Sequence, residues 1–342
     1  MNIVAATCPS SHRKCPMQLI DPFGRKINYL RLSITDRCNL RCLYCMPAEG
    51  VAKLRHDDVL SYEQLLQVAR AAVAIGVEKI RITGGEPLAR KGVLPFLEQL
   101  AEIPGLQRLV LTTNGILLPP VARDLRRIGI ESLNISLDSL RAETFHRVTR
   151  GGDLQQVLAG IAAAEQAGFP YVKINVVVMR GINDDEVPDF AAMTIDKPYK
   201  VRFIEYMPTL KQGNWQEMCV PGDELLSRLS ERYKLEPAQA EPMAGPASYR
   251  RIKGAAGMIG IITPVSCHFC RECNRIRVTS TGVAKSCLFS RDTTDLKPIL
   301  ETDDQAGLQE ALRRVVTAKP DRHQLDAANE PDHQVPMSQV GG

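Results

Sequence analysis

The chain has 342 residues, of which 44% are hydrophobic and 24% charged. That composition suits one large α/β domain or two ordinary ones and argues against long disorder. No apolar run approaches the roughly 20 residues of a spanning helix. The net charge is only +4, from 43 basic and 39 acidic residues. It falls short of the clustered excess of a duplex-binding protein. Neither a membrane nor nucleic acid is therefore an expected partner, whereas a small anionic substrate is compatible.

Residues 1–28 read as a polar N-terminal tail without period. Its opening, MNIVAATCPSSHRKCPMQLI, has no continuous apolar stretch of the signal-peptide kind, so a cytoplasmic location with reduced thiols is expected. Short β-branched runs then alternate with helical patterns. Strands are predicted at Leu30–Thr35, Lys79–Thr83, Arg108–Thr113, Ser132–Asp138, Val172–Val178 and Val201–Met207. Between them, helices are predicted at Tyr62–Ala74, Val93–Glu102, Pro120–Ile128, Leu154–Ala167 and Asp185–Met193. Ser61 is the expected N-cap of the first helix and Gly76 its C-cap. Six β-then-α units imply a parallel sheet with right-handed crossovers, too few for a closed eight-stranded barrel. A doubly wound open sheet is the alternative.

The rhythm changes after Met207. Gly, Pro and Ala gather between Glu236 and Ser248, followed by strand-like runs at Arg250–Lys253, Met258–Thr263 and Arg275–Thr279 and a helix at Asp304–Val316. The division expected is a tail at 1–28, a partial barrel at 29–214 and a C-terminal extension at 215–342.

Ten cysteines are unusual for such a chain, and seven of them cluster. Cys38, Cys42 and Cys45 form CxxxCxxC just after the first strand. Three thiolates from one short loop can hold three corners of a cubane iron–sulfur cluster, leaving the fourth iron open to a ligand. The alternatives are an incomplete zinc site or incidental thiols. Near the other end, Cys270 and Cys273 form CxxC and Cys287 follows. Spacing alone leaves this set open between a second cluster and a zinc ribbon with His268 or Cys267 as fourth ligand. Arg275 and Arg277, two apart on a strand, point to one face and suit phosphate. Polar motifs at Thr83–Pro87, Thr112–Asn114, Ser136–Asp138 and Glu205–Met207 fall at the ends of strands, the rim where parallel barrels place their chemistry.

CxxxCxxC followed by Gly84-Gly85-Glu86-Pro87 resembles the radical S-adenosylmethionine (SAM) enzymes. The resemblance implies an incomplete (β/α)6 barrel with a 4Fe–4S cluster whose open iron chelates SAM, which is cleaved to methionine and a 5′-deoxyadenosyl radical. Within that superfamily the runs CMPAEG, RITGGEPLARK, LTTNGILL, LNISLDSL, VKINVVVMRGINDDE, VRFIEYMP, FCRECNRIRVTSTG and the terminal GG are similar to the GTP 3′,8-cyclases of molybdenum cofactor biosynthesis. That likeness implies conversion of GTP to (8S)-3′,8-cyclo-7,8-dihydroguanosine 5′-triphosphate, with SAM on Tyr44, Gly85, Ser136 and Met207. It implies GTP on Arg31, Arg81, Thr112, Lys173, Arg275, Ile276 and Arg277. It also implies a second 4Fe–4S cluster on Cys270, Cys273 and Cys287 that binds guanine, and a catalytic Gly341-Gly342 terminus. Implied partners are an electron donor such as flavodoxin or ferredoxin, a downstream cyclic pyranopterin monophosphate synthase and a second copy of the chain. Cys267 departs from the family pattern and is not expected to be a ligand. The rivals are a radical SAM enzyme acting on a peptide, disfavoured by the arginine pair, and a zinc-dependent nucleic-acid module, disfavoured by the low charge.

Overall fold

The β-branched runs form buried strands in a computed structural model that describes residues 18–51, 54–209, 215–241, 243–323, 325 and 337–340. The first six are β1 (Tyr29–Ser33), β2 (Lys79–Thr83), β3 (Arg108–Thr113), β4 (Ser132–Ser136), β5 (Tyr171–Val178) and β6 (Lys200–Glu205). They pair in parallel in chain order. Connecting helices cover the outside, so one side-chain face of each strand is apolar core and the other faces inward. Ile80 and Ile82 of β2, for example, are fully buried in the core. Lys79 and Arg81 alternate with them toward the interior.

The C-terminal part extends both ends of this curved sheet. It supplies β7 (Leu235–Ala238), β8 (Ser248–Ile252), β9 (Met258–Ile262), β10 (Arg275–Val278), β11 (Val283–Lys285) and β12 (Thr293–Asp295). The sheet order is β12-β11-β10-β1-β2-β3-β4-β5-β6-β9-β8-β7. β10 joins β1 in parallel and β9 joins β6 in parallel. The outer hairpins are antiparallel. The partial barrel is thus widened at both edges by strands from the extension, and β10 brings Arg275 and Arg277 level with Tyr29 and Arg31.

The first helix spans Tyr62–Ala74 as the pattern predicts, and Ser61 with Gln64 makes a full capping box. Ile75 is the observed C-cap; Gly76 follows at φ 113°, where the left-handed turn needs a glycine. Helices at Ala142–Thr149 and Gly222–Arg232 were not anticipated from the pattern.

The expected tail at 1–28 is corrected at its C-terminal end. Residues 19–28 form a packed turn in which Ile20 bridges Lys26 and Ile27 is fully buried. Asp21 and Arg25 form a buried ion pair, and Arg25 donates to the carbonyls of Cys270, Pro320 and Asp321. Leu19 and Ile27 are its buried apolar contacts, and the rest of the stretch is held by side-chain bonds to carbonyls and to Glu78, which leave no period. No helix among the described residues is long and apolar enough to cross a membrane.

Candidate active site

The interior face carries side chains two apart on β1, β2, β5, β6 and β10. They are Tyr29 and Arg31, Lys79 and Arg81, Lys173 and Asn175, Lys200 and Arg202, and Arg275 and Arg277. Adjacent strands set Arg31 beside both Arg81 and Arg277, and Lys173 beside Lys200. One cavity runs from Arg31, Arg81, Arg202, Arg275 and Arg277 up to the two cysteine sets.

Cys38, Cys42 and Cys45 all border this cavity and are free thiols. Their loop is tightened by Cys45 N–H donating to the Cys42 carbonyl at 2.9 Å. Burial pushes the Cys38 thiol up to about 11, with the Glu86 charge adding to it, and Cys45 up to about 12, with the Cys38 sulfur and Asp138 adding repulsion. Such crowding of buried sulfurs is what a cation-rich cluster reverses, so the donor set fits a 4Fe–4S cluster. Gly84 and Gly85 press against this loop. A Cβ on Gly85 would lie 2.3 Å from the Arg37 carbonyl oxygen, and one on Gly84 2.4 Å from that of Thr35.

Three further buried groups tie the rim together. The Glu86 carboxylate accepts from Thr113 Oγ1, Asn114 N–H and Leu88 N–H, and burial raises its pKa to about 7. Tyr44 donates its hydroxyl to Asp138 at 2.8 Å; Asp138, raised by burial to about 6, also accepts from Val177 N–H. Glu205 accepts from the backbone of Gly222, Val265 and Ser266 and so holds the approach to the second cysteine set.

Cys270, Cys273 and Cys287 face the same cavity from the other side. Burial opposes the Cys273 thiolate, but Arg275 and Lys319 outweigh it and hold the thiol down at about 6. Arg275 donates to Cys273 Sγ at 3.5 Å and lies over the Phe269 ring. Lys319 donates to the carbonyls of Arg275 and Ser286, tying the C-terminal segment to this loop. The three sulfurs thus fit a second cluster, one of them already favouring the ligating form. The zinc alternative also has a geometric counterpart: donor atoms of His268, Cys270 and His323 lie within 4.8 Å of one another. Cys267 is exposed and does not border the cavity.

The structure brings together Tyr44, Gly85, Ser136, Met207, Arg31, Arg81, Thr112, Arg275, Arg277 and the six cysteines around one cavity. Two expected residues are absent from its lining. Ile276 lies in the hydrophobic core, as alternation on β10 demands. Lys173 is buried below the cavity against Glu241. Gly341 and Gly342 lie outside the described residues. The helix just before them, Met337–Val340, reaches the site: Met337 N–H donates to the Cys45 carbonyl and Val340 packs in a cluster with Leu288. Lys79, Lys200, Arg202 and Asn175 were missed by sequence reasoning. The signal was present, because Lys79 and Arg81, like Lys200 and Arg202, repeat the two-apart spacing of Arg275 and Arg277.

Several polar atoms facing this interior are buried without a hydrogen-bond partner among the described residues: Arg81 Nε, Arg202 Nε, Thr112 Oγ1, Asn175 Oδ1 and Ser286 Oγ. Burial, reinforced by neighbouring cations, lowers Lys79 to about 7 and Lys173 to about 5. An interior of clustered, partly discharged cations matches a polyanion.

The family model for the Radical SAM superfamily matches residues 32–194, and that for Molybdenum Cofactor Synthesis C matches residues 199–325. The chain is 64% identical over 326 residues to the GTP 3′,8-cyclase of Geobacter sulfurreducens, covering 95% of this chain and 100% of that one. It is 42% identical over 323 residues to the GTP 3′,8-cyclase of Alkaliphilus oremlandii, covering 94% and 99%. Among solved structures, Streptococcus suis SuiB bound to S-adenosylmethionine superposes with a TM-score of 0.58 at 13% identity, covering 87% of this chain and 68% of that one, a likeness of fold alone. The partial barrel, the open-cornered cysteine loop and these relatives together place the chain in the GTP 3′,8-cyclase family of radical SAM enzymes.

Proposed function

We propose that the chain cyclises GTP to (8S)-3′,8-cyclo-7,8-dihydroguanosine 5′-triphosphate, using two 4Fe–4S clusters and SAM. The observation that carries this reading is one cavity with a three-cysteine set on each side and, between them, Arg81 and Arg202 Nε atoms without a hydrogen-bond partner among the described residues. Cys38, Cys42 and Cys45 would hold the first cluster, and Cys270, Cys273 and Cys287 the second. SAM bound at the first cysteine set, with an external low-potential donor, would supply carbon-radical chemistry at the ribose 3′ hydrogen, and closing C3′ onto guanine C8 as the 7,8-dihydro product would take up one further electron from that donor and a proton.

The protein's part is placement. Asp138 anchors Tyr44 at the edge of the SAM subsite, whose other residues are Gly85, Ser136 and Met207. Thr112 and the Arg31, Arg81, Arg275 and Arg277 guanidiniums bind GTP, with the guanine toward the second cysteine set. Arg202 joins them from β6. Gly341 and Gly342, which follow in sequence the helix Met337–Val340 on the Cys45 loop, are assigned the catalytic terminus, a role glycine suits because backbone can approach closely. Enclosure of the cavity within the barrel would keep the radical from bulk water.

The test is anaerobic reconstitution with GTP, SAM and dithionite. Cyclised GTP and 5′-deoxyadenosine should appear in equal amounts, and about eight irons should be bound per chain. Without cyclised nucleotide the proposal fails. The His268, Cys270 and His323 grouping supports a second reading, in which that side holds zinc; about four irons plus one zinc per chain would establish it.

A further inference from the structure

Below the cavity, at the starts of β2, β5 and β6, three buried lysines converge. Lys79, Lys173 and Lys200 are the inward residues there, and like-charged neighbours help burial to lower all three. Aromatic rings flank them: Lys79 lies over Tyr29, and Lys200 over Tyr171. None of the three lysines borders the cavity.

What separates them from it is a loop from the C-terminal extension. Glu241 enters between Lys173 and Lys200 and forms an ion pair with each, at 3.4 Å to Lys173 Nζ. Two residues on, Met243 adopts a left-handed backbone with φ 56°, which costs energy for a side chain of this kind, and its carbonyl accepts from Lys79 Nζ at 2.8 Å. Gly245 and Pro246 of the same loop then surface in the cavity wall. One loop therefore offers all three lysines an oxygen and also contributes to the wall of the bound-ligand space.

We infer that Glu241 holds the place of the terminal phosphate and is a specificity-determining residue for polyphosphate length. This rests on the reading of the cavity as a GTP site. A nucleoside triphosphate reaches the lysine floor and displaces the carboxylate. A diphosphate stops at the arginines above and leaves Glu241 paired. The carboxylate thus taxes every polyphosphate that reaches the floor, and gives Lys173 and Lys200 an oxygen partner when none is bound, as the Met243 carbonyl does for Lys79.

The experiment is calorimetric titration of the reconstituted holoenzyme, parent and Glu241→Gln, with GTP, GDP and inorganic tripolyphosphate. Removing the competing charge should tighten GTP and tripolyphosphate roughly tenfold and GDP by about twofold or less. Glu241→Asp, which retracts the carboxylate by one methylene without losing its charge, should fall between parent and Glu241→Gln. It serves as the test if the amide variant does not fold. Equal or weaker GTP and tripolyphosphate binding in these variants overturns the inference, even if the parent binds GTP well. A parent that shows no preference for guanine nucleotides, while the variants still tighten tripolyphosphate, upholds the role of Glu241 and defeats the GTP reading instead.

Discussion

The upper rim and the lower floor of this barrel handle charge in opposite senses. At the rim, burial drives the thiols of Cys38 and Cys45 toward their neutral, protonated form. On the floor, burial drives Lys79 and Lys173 toward their neutral, deprotonated form. The physical cause is the same, because low polarity disfavours whichever form is charged. On the proposed reading each region is therefore matched to a guest that restores the charged form: a metal cluster for the thiols, a polyphosphate for the lysines. Cys273 is the exception at the rim, since Arg275 and Lys319 already hold it near 6.

The largest way to break the comparison is to remove a rim ligand. Cys38→Ala or Cys42→Ala should lower iron by about half and abolish 5′-deoxyadenosine formation if, as proposed, three ligands from this loop hold the cluster. Iron content and SAM cleavage check this; full iron with normal cleavage would remove those cysteines from the site. Gly85→Ala should come next. Its Cβ would fall 2.3 Å from the Arg37 carbonyl oxygen, so the loop must shift. A loss of SAM affinity of tenfold or more is expected, with folding retained by circular dichroism.

Between rim and floor, the two arginines of β10 should separate. Arg277→Ala should weaken GTP by about 1.5–3 kcal/mol through lost charge-assisted contacts and leave iron content unchanged. Arg275→Ala should do the same and also loosen the second cluster, because Arg275 stabilises the Cys273 thiolate. Identical iron content in both variants would show that the contact to sulfur does not matter.

The floor yields a subtler signature. Its lysines are lowered, so the unfolded chain binds more protons than the folded chain between about pH 5 and 10, and the lysine contribution to ligand-free stability rises with pH there. A bound polyphosphate raises the same groups, so tripolyphosphate binding at pH 8 should take up protons, on the order of one per chain. Calorimetry in buffers of different ionisation enthalpy measures this; proton release would reverse the sign of the argument. The smallest effect lies far from both regions. Ser61→Ala should cost about 1 kcal/mol of stability by thermal unfolding, through loss of the capping box.

Local chemistry made much of this protein legible from its residues. The strands β2 and β3 and the helix Tyr62–Ala74 follow from period and caps alone, with bounds as predicted. The Cys38, Cys42 and Cys45 loop is readable because its three ligands lie within eight consecutive residues, so spacing already implies proximity. Arg275 and Arg277 are readable for the same reason. What only the tertiary structure decided is the meeting of residues that share no segment. β10 pairs with β1 across more than two hundred residues, and that register alone sets Arg277 beside Arg31. Parallel pairing likewise brings Lys173 to Lys200, and a loop from the extension brings Glu241 to both. Residues 19–28 look structureless because side-chain-to-carbonyl contacts leave no periodic trace. Sequence period records which face a residue takes; it cannot record which distant strand supplies its neighbour, because that depends on long-range pairing and burial.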